Sequence, residues 1–183
     1  PYDMVLTNTT TGQVYTMNDV TSYVFTGLSA GSYEVRVTDD QGCEIVDNSV
    51  TLDEPLPITA QIDAAPIDLE CYGDNSASVW AYNVSGGEGV YQYQLNYYDA
   101  TGTNIVFTSG EQGNPTFTGL GAGIYSITVS DGWNCGMETP QVTINEPTEV
   151  TSSLVQVSEL TCNDMAEIRL TASGGNGSYE YSS

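Results

Sequence analysis

Two segments of the chain share nearly the same pattern, and this internal repeat limits the possible folds more than any other feature. Residues 25–43 have the sequence FTGLSAGSYEVRVTDDQGC, and residues 117–135 have FTGLGAGIYSITVSDGWNC, an offset of 92 positions. A second motif, SGGEGVYQY at 85–93, recurs as SGGNGSYEY at 173–181 at an offset of 88. Self-similarity at a fixed period is typical of tandem arrays. We therefore predict structural repeats of about 90 residues.

The repeat pattern divides the chain into three parts. We predict that residues 1–57 are the C-terminal part of a first repeat, 58–149 a complete second repeat, and 150–183 the N-terminal part of a third. Glu54-Pro55-Leu56-Pro57 and Glu146-Pro147 lie at the two boundaries. Proline stiffens a linker and stops a strand from continuing across it. Neighbouring repeats of the same long chain are thus the expected partners, joined into a semi-rigid rod.

The complete repeat consists of short segments with β-type alternation, separated by turns rich in Gly, Asp, Asn and Pro. The predicted strands lie near residues 58–64, 78–84, 91–97, 104–108, 116–117, 124–130 and 141–144. About seven short strands in about 90 residues are typical of an immunoglobulin-like sandwich. The predicted fold class is therefore all-β, with tandem immunoglobulin-like β-sandwich repeats.

Alternation within three of these strands also predicts the core, because every second side chain of a half-buried strand points inward. The predicted inward residues are Trp80, Tyr82, Val84, Tyr91, Tyr93, Leu95, Tyr125, Ile127 and Val129. Tyr125 opens its strand after Leu120 and Gly123, which resembles a tyrosine corner. Ile127 occupies the position where antibody domains have a core cysteine, so the usual inter-sheet bridge is not expected.

Charge and composition exclude several functional classes. The chain has 24 acidic residues, two arginines, and neither lysine nor histidine, for a net charge of −22. This charge repels nucleic acids and anionic membrane surfaces. The absence of histidine removes the usual general base, and no nucleophile elbow or phosphate-binding loop is present. We therefore expect no enzyme activity. No apolar run is long enough for a membrane span, and no signal peptide is evident within these residues.

The order of the motifs resembles a known family. The pattern Cys-x-Gly, GGxGxYxY, FxGLxAGxYxxxVxDxxxC and Glu-Pro runs through 71–147 and is similar to the SprB-type repeat. That repeat occurs in gliding-motility adhesins and related large cell-surface proteins of Bacteroidota. One departure is Cys162-Asn163-Asp164, which lacks the glycine.

The resemblance covers nearly the whole chain and implies where the protein works. It implies a secreted, extracellular, outer-membrane-associated protein, exported by the type 9 route and held at the cell surface. There the repeats form an extended, structural or adhesive stalk or filament for cell adhesion, surface attachment or gliding motility. The family offers no catalytic residues to transfer.

The four cysteines allow more than one pairing. The simplest scheme is a disulfide between Cys71, before the second strand, and Cys135, after the sixth, contributing roughly 3–4 kcal/mol. The corresponding turns lie at opposite ends of an immunoglobulin-like sandwich, which weighs against it. In this scheme Cys43 and Cys162 would have their partners outside these residues. One alternative is bridges between neighbouring units, in which case none of the four cysteines pairs with another one here; the other is free thiols or metal ligands.

Residues in the predicted turns suggest two candidate ligands. Acidic residues gather there, and calcium is the candidate cofactor, although solvated carboxylates, some of which bond their own turn, are the favoured explanation of the pattern. Trp133 is the candidate ligand contact, because an exposed indole in a turn can stack on a sugar. Packing against a neighbouring unit is its alternative role. Surface polysaccharide is thus the second expected partner, beside the neighbouring repeats.

Overall fold

The computed structural model describes residues 1–133, 135–177 and 179–180, and this part of the chain is all β. It contains fourteen strands and no helix, and every pairing between named strands is antiparallel. The chain divides into two compact units, Pro1–Pro55 and Leu56–Ser183. The all-β prediction is therefore confirmed.

The first unit is a single four-stranded sheet. Its strands are β1 (Tyr2–Asn8), β2 (Val14–Val20), β3 (Gly31–Asp39) and β4 (Glu44–Leu52). They lie in the order β2-β1-β3-β4. Side chains on one face of this sheet surround an open apolar hollow of about 250 Å³.

The second unit contains two sheets that pack face to face. Its first eight strands are β5 (Thr59–Ala65), β6 (Ala77–Ser85), β7 (Gln92–Tyr98), β8 (Ile105–Thr108), β9 (Thr116–Leu120), β10 (Gly123–Ser130), β11 (Gly136–Glu138) and β12 (Val142–Ile144). One sheet has the order β5-β6-β9, and the other β11-β10-β7-β8, with β12 also paired to β10. The seven predicted strands are all present, and only β11 was not predicted.

The core lies between these two sheets. β6 contributes Val79, β7 contributes Tyr93 and Leu95, and β10 contributes Ile127 and Val129, all of them buried. The alternation predicted for β7 and β10 is therefore confirmed. Side chains from both sheets belong to one cluster, which makes this part of the chain a β-sandwich.

The predicted face of β6 is wrong. Val79, not Trp80, lies in the core with 0% of its surface exposed, whereas Tyr82 is 40% exposed. The cause is an irregularity near Asn83, whose φ of 52° lies in the left-handed region. A β-bulge adds one residue and reverses the side-chain direction on its two sides. Val84, beyond Asn83, does pack against the core.

A tyrosine corner is present in both units. The Tyr125 hydroxyl donates a hydrogen bond to the carbonyl of Gly121 at 3.0 Å. The Tyr33 hydroxyl donates to the carbonyl of Ser29, four residues back as well, at 2.6 Å. Both rings are buried, so each hydroxyl fixes the turn that precedes its strand.

A short parallel contact joins the segment after β5 to the end of β12. Asp68 and Asn145 form a parallel bridge. The Leu69 amide donates to the Asn145 carbonyl at 2.9 Å, and the Asn145 amide donates to the Ile67 carbonyl at 2.7 Å. These bonds tie the edges of the two sheets together.

The second unit ends in a hairpin. Its strands are β13 (Thr151–Ser158) and β14 (Glu167–Ser173), paired from Thr151↔Ser173 through Leu154↔Leu170. Ser178 and residues 181–183 of the predicted third repeat, and Asn134 next to Trp133, lie outside the described residues.

Candidate functional site

The turn that presents Trp133 is organised by one carboxylate. Asp131 is buried at the end of β10, and its Oδ1 accepts the amide hydrogens of Trp133 and Cys135, each at 2.9 Å. Its Oδ2 accepts the amide hydrogen of Glu88 at 2.8 Å, which joins this turn to the turn after β6. The indole of Trp133 is 76% exposed. The structure thus places the predicted contact residue on a braced turn at the surface.

The first unit has the same turn without the aromatic residue. Asp39 Oδ1 accepts the amide hydrogens of Gln41 at 2.9 Å and Cys43 at 2.8 Å. Gln41 stands at the position of Trp133. The carboxylate scaffold is therefore a shared property of the repeat, and the exposed indole belongs to the second unit alone.

These hydrogen bonds lower the pKa of both carboxyl groups. The Glu88 amide is the largest cause for Asp131, with the Trp133 and Cys135 amides adding to it. For Asp39, the Cys43 amide has the largest effect. Donors that bond to the charged form favour ionisation, so these hydrogen bonds stabilise the turn more when the aspartate is charged than when it is protonated.

We expect the second unit to lose stability in acid through Asp131. The pKa of Asp131 in the folded state is below its unfolded value of about 4. Its contribution to the free energy of unfolding is therefore complete above about pH 4 and is lost as the pH falls through the folded pKa. Asp131→Asn should be less stable than wild type at pH 7 and should approach it as the pH falls through the folded pKa of Asp131. Thermal unfolding followed by tryptophan fluorescence would measure this. A stability gap that stays constant with pH would contradict it.

The structure does not support the predicted Cys71–Cys135 disulfide. All four cysteines, Cys43, Cys71, Cys135 and Cys162, are free thiols. Cys71 precedes β6. Gly73, two residues later, donates a hydrogen bond to Glu146, which lies just beyond β12. Because the end of β12 pairs with the start of β10, Cys71 lies beside the turn where β10 begins. Cys135 follows the other end of β10. An eight-residue strand spans more than about 20 Å, far beyond the reach of a disulfide.

The acidic turns provide no evident calcium site. In the described part of the chain, no three His, Cys, Asp or Glu side chains are grouped so that they would hold a metal ion. Asp39, Asp99 and Asp131 instead accept backbone amide hydrogens of their own turns. These contacts match the alternative in which the turn carboxylates have a local structural role.

A second site was not predicted from the sequence. It is the contact between the linker at Leu56-Pro57 and the turn at Gly86-Gly87. The Gly87 amide donates to the Leu56 carbonyl at 2.6 Å. Gly86 has a φ of 82°, and a Cβ added there would overlap the carbonyl oxygen of Pro57. The Tyr91 hydroxyl donates to the Gly86 carbonyl at 2.6 Å. The linker thus lies directly on the turn between β6 and β7. We name this arrangement the linker clamp.

The linker clamp occurs again at the hairpin. The Gly175 amide donates to the Thr148 carbonyl at 2.8 Å. A Cβ on Gly174 would overlap the carbonyl oxygen of Glu149, and the Tyr179 hydroxyl bonds the Gly174 carbonyl. Each residue of this second clamp stands at the position of the repeat that corresponds to a residue of the first clamp. The GGxGxY motif is therefore the sequence signature of a fixed linker.

Two further contacts within the second unit join the sandwich to the linker and to the turn of the hairpin. Glu146, from the Glu-Pro motif, accepts the amide hydrogen of Gly73 at 2.6 Å. Asn176 Nδ2, in the turn after β14, donates to the carbonyl of Glu70 at 2.8 Å. The end of the sandwich that carries Cys71 therefore contacts both the linker and the glycine turn that follows it.

Comparison with known proteins identifies no family. No family model and no curated protein matches the chain. One similar solved structure is that of three N-terminal domains of the bacteriophage RB49 Highly Immunogenic Outer Capsid protein, at 14% identity and a TM-score of 0.44. The match covers 94% of this chain, which spans 58% of the length of that one. Among the described residues, no helix is long and apolar enough to cross a membrane.

Proposed function

We propose that this chain is a structural segment of a secreted cell-surface adhesin, in which immunoglobulin-like repeats form an extended stalk. The observation that carries the proposal is the linker clamp, which occurs at Leu56–Pro57 and again at Thr148–Glu149. A linker that is bonded to the following turn has fewer freely rotating bonds between one repeat and the next. A spacer that extends a binding tip from a surface needs this property, and an enzyme does not.

The division into three repeats and the cell-surface location are part of the same proposal. The motif order resembles the SprB-type repeat, which supports an extracellular, outer-membrane-associated adhesin involved in attachment or gliding. Two tyrosine corners at matching positions support the immunoglobulin-like repeat. The net charge of −22 supports an extended, non-enzymatic element, because like charges keep such an array soluble and separate.

The location is tested on intact cells of the source organism. Antibodies raised against the purified chain should label unpermeabilised cells, and their Fab fragments should reduce attachment to a surface. Fab fragments against a cytoplasmic protein are the control. Labelling that appears only after permeabilisation would refute the proposed location.

The stalk role predicts a fixed angle between the second sandwich and the hairpin. Spin labels on Cys71 and Cys162, both exposed, report that geometry once Cys43 and Cys135 are replaced by serine. Double electron–electron resonance spectroscopy should give one narrow distribution of distances between the two labels. Gly174→Ala should broaden it, because the new Cβ displaces the linker. Gly177→Ala has a similar φ of 88° and no neighbour within 4 Å, so it should leave the distance unchanged. A broad wild-type distribution would contradict a stalk.

A glycan-binding module is the second candidate, and the 76% exposure of Trp133 favours it. An exposed indole on a braced turn offers a flat apolar face to a sugar ring. Wild-type chain would bind a glycan array, Trp133→Ala would lose that binding, and Gln41→Ala, at the matching turn of the first unit, would keep it. Absence of wild-type binding to every glycan would eliminate this function for the chain.

A further inference from the structure

The cysteines of the repeat occupy two fixed positions at opposite ends of the sandwich. Cys71 and Cys162 stand at one position, before β6 and β14, and Cys43 and Cys135 stand at the other, after β3 and β10. In the second sandwich the length of β10 separates Cys71 from Cys135. A disulfide between the two positions can therefore form only between repeats.

The entry end of the second sandwich, where the linker arrives, carries Cys135. Asp131 joins two turns at this end, because its Oδ1 accepts the Cys135 amide hydrogen and its Oδ2 accepts that of Glu88. The Gly87 amide, next to Glu88, donates to the Leu56 carbonyl at 2.6 Å. Cys135 is half-buried and packs against the end of the core. The linker, the glycine turn and Cys135 thus lie together at the entry end.

The exit end of the same sandwich, where the next linker leaves, carries Cys71. The Glu70 carbonyl accepts a hydrogen bond from Asn176 Nδ2 at 2.8 Å, and Cys71 is the next residue. Asn176 belongs to the glycine turn of the third repeat and stands at the position of Glu88 in the second. The exit end of one repeat therefore contacts the glycine turn of the next, and Cys71 is exposed beside this contact.

We propose that the cysteine before β6 of one repeat forms a disulfide with the cysteine after β10 of the following repeat, an inference that rests on the proposed tandem array. Cys71 adjoins the carbonyl that binds the next glycine turn, and in the second repeat the glycine turn is bonded, through Asp131, to Cys135. The bridge is a second covalent connection between two repeats, beside their linker.

The bond forms by thiol–disulfide exchange. Each of the two cysteine thiols loses its hydrogen, and the two electrons pass to an oxidising disulfide of the compartment, which is reduced to two thiols. Extracellular surroundings keep such bridges oxidised, which agrees with the proposed cell-surface location.

A chain with a duplicated repeat tests the proposal with residues of this sequence alone. A second copy of residues 56–147 is inserted after Pro147 of the full chain. The new junction, Glu146-Pro147-Leu56-Pro57, has the same four residue types as the natural boundary at 54–57. The duplicated chain thus contains two complete repeats in tandem, joined as the first and second repeats are.

Two variants of this duplicated chain differ only in the two cysteines that remain, all others being serine. The forward variant keeps Cys71 in the first copy and Cys135 in the second, and the reverse variant keeps Cys135 in the first and Cys71 in the second. In glutathione buffer the equilibrium constant for bridge formation should be at least about a hundredfold larger in the forward variant. The two thiols of the reverse variant lie at the outer ends of the tandem pair and cannot meet.

Peptide mapping without reduction checks the native protein taken from the cell surface. The Cys71 peptide should be joined to the peptide that carries the following repeat's counterpart of Cys135. A Cys71 peptide that is free or joined to Cys135 would overturn the proposal, as would equal bridging in the two variants. So would a forward variant that circular dichroism shows to be folded and that keeps both thiols. None of these results alters the spin-label distances that test the stalk, so the two proposals fail separately.

Discussion

Replacing Gly86 with alanine is expected to destabilise the second unit by about 3 kcal/mol. The left-handed φ of 82° alone costs an L-residue about 1–2 kcal/mol. The rest arises because the new Cβ overlaps the Pro57 carbonyl oxygen, so the linker has to leave its turn. Urea unfolding followed by tryptophan fluorescence reports this unit alone, since Trp80 and Trp133 are the two tryptophans of the chain.

Gly89→Ala is the matched control for this substitution. Gly89 also has a left-handed φ, of 97°, but no atom lies within 4 Å of the position of an added Cβ. It should cost only about 1–2 kcal/mol. Hydrogen exchange of the Gly87 amide, which bonds the Leu56 carbonyl, should accelerate in Gly86→Ala and not in Gly89→Ala. Equal losses of stability in the two variants would show that the linker clamp contributes nothing.

Val79→Asp should unfold the second sandwich altogether. The substitution loses about 1.5–3 kcal/mol of apolar burial and places a carboxylate in the core, at a further cost of several kcal/mol. Because Val79 is fully buried between the sheets, the carboxylate would have no water and no cation partner. A small domain is stabilised by only about 5–15 kcal/mol in total. The expected result is red-shifted tryptophan emission without denaturant.

The control for Val79→Asp lies three residues away. Tyr82→Asp introduces the same charge on the outer face of β6 and should change the free energy of unfolding by less than about 1.5 kcal/mol. Strict alternation through Trp80, Tyr82 and Val84 predicts the opposite ranking, with Tyr82→Asp the more damaging. If Val79→Asp folded normally and Tyr82→Asp did not, the observed register of β6 would be incorrect.

The strands of the second unit were predictable because their signals are local. Alternation in β10 and the turns around it identify that strand without knowledge of the rest of the chain. Tyr125 and Tyr33 were predictable for the same reason, since the tyrosine corner depends on residues only four positions apart. The repeat strengthened each assignment, because a pattern present twice is not accidental.

The face of β6 was not predictable from alternation alone. One residue in a left-handed conformation, Asn83, reverses the direction of every side chain before it. The bulge becomes visible when the observed strand pairings of the two repeats are compared. The SGG motif recurs at an offset of 88 from Ser85 to Ser173, whereas the paired positions Ala81 and Leu170 are 89 apart. This difference of one residue between β6 and β14 indicates a bulge.

The linker clamp was missed because it depends on contacts between distant segments. Gly86 and Pro57 are far apart in sequence, and nothing local to either residue indicates the contact. The GGxGxY motif was visible as a repeat, but its role was not. For the cysteines, the two turns were expected at opposite ends of the sandwich, and the structure places Cys71 near the start of β10 and Cys135 after its end.

The parallel bridge between Asp68 and Asn145 has a mechanical consequence. The chain enters the second sandwich at the glycine turn and leaves it at the opposite end, beyond β12. A pulling force on the two termini therefore moves these two parallel segments in opposite directions along their lengths. The hydrogen bonds of Leu69 and Asn145 are then loaded in shear. They must break together rather than one after another. Such a repeat would resist extension most strongly along the direction in which a surface-anchored fibre is pulled.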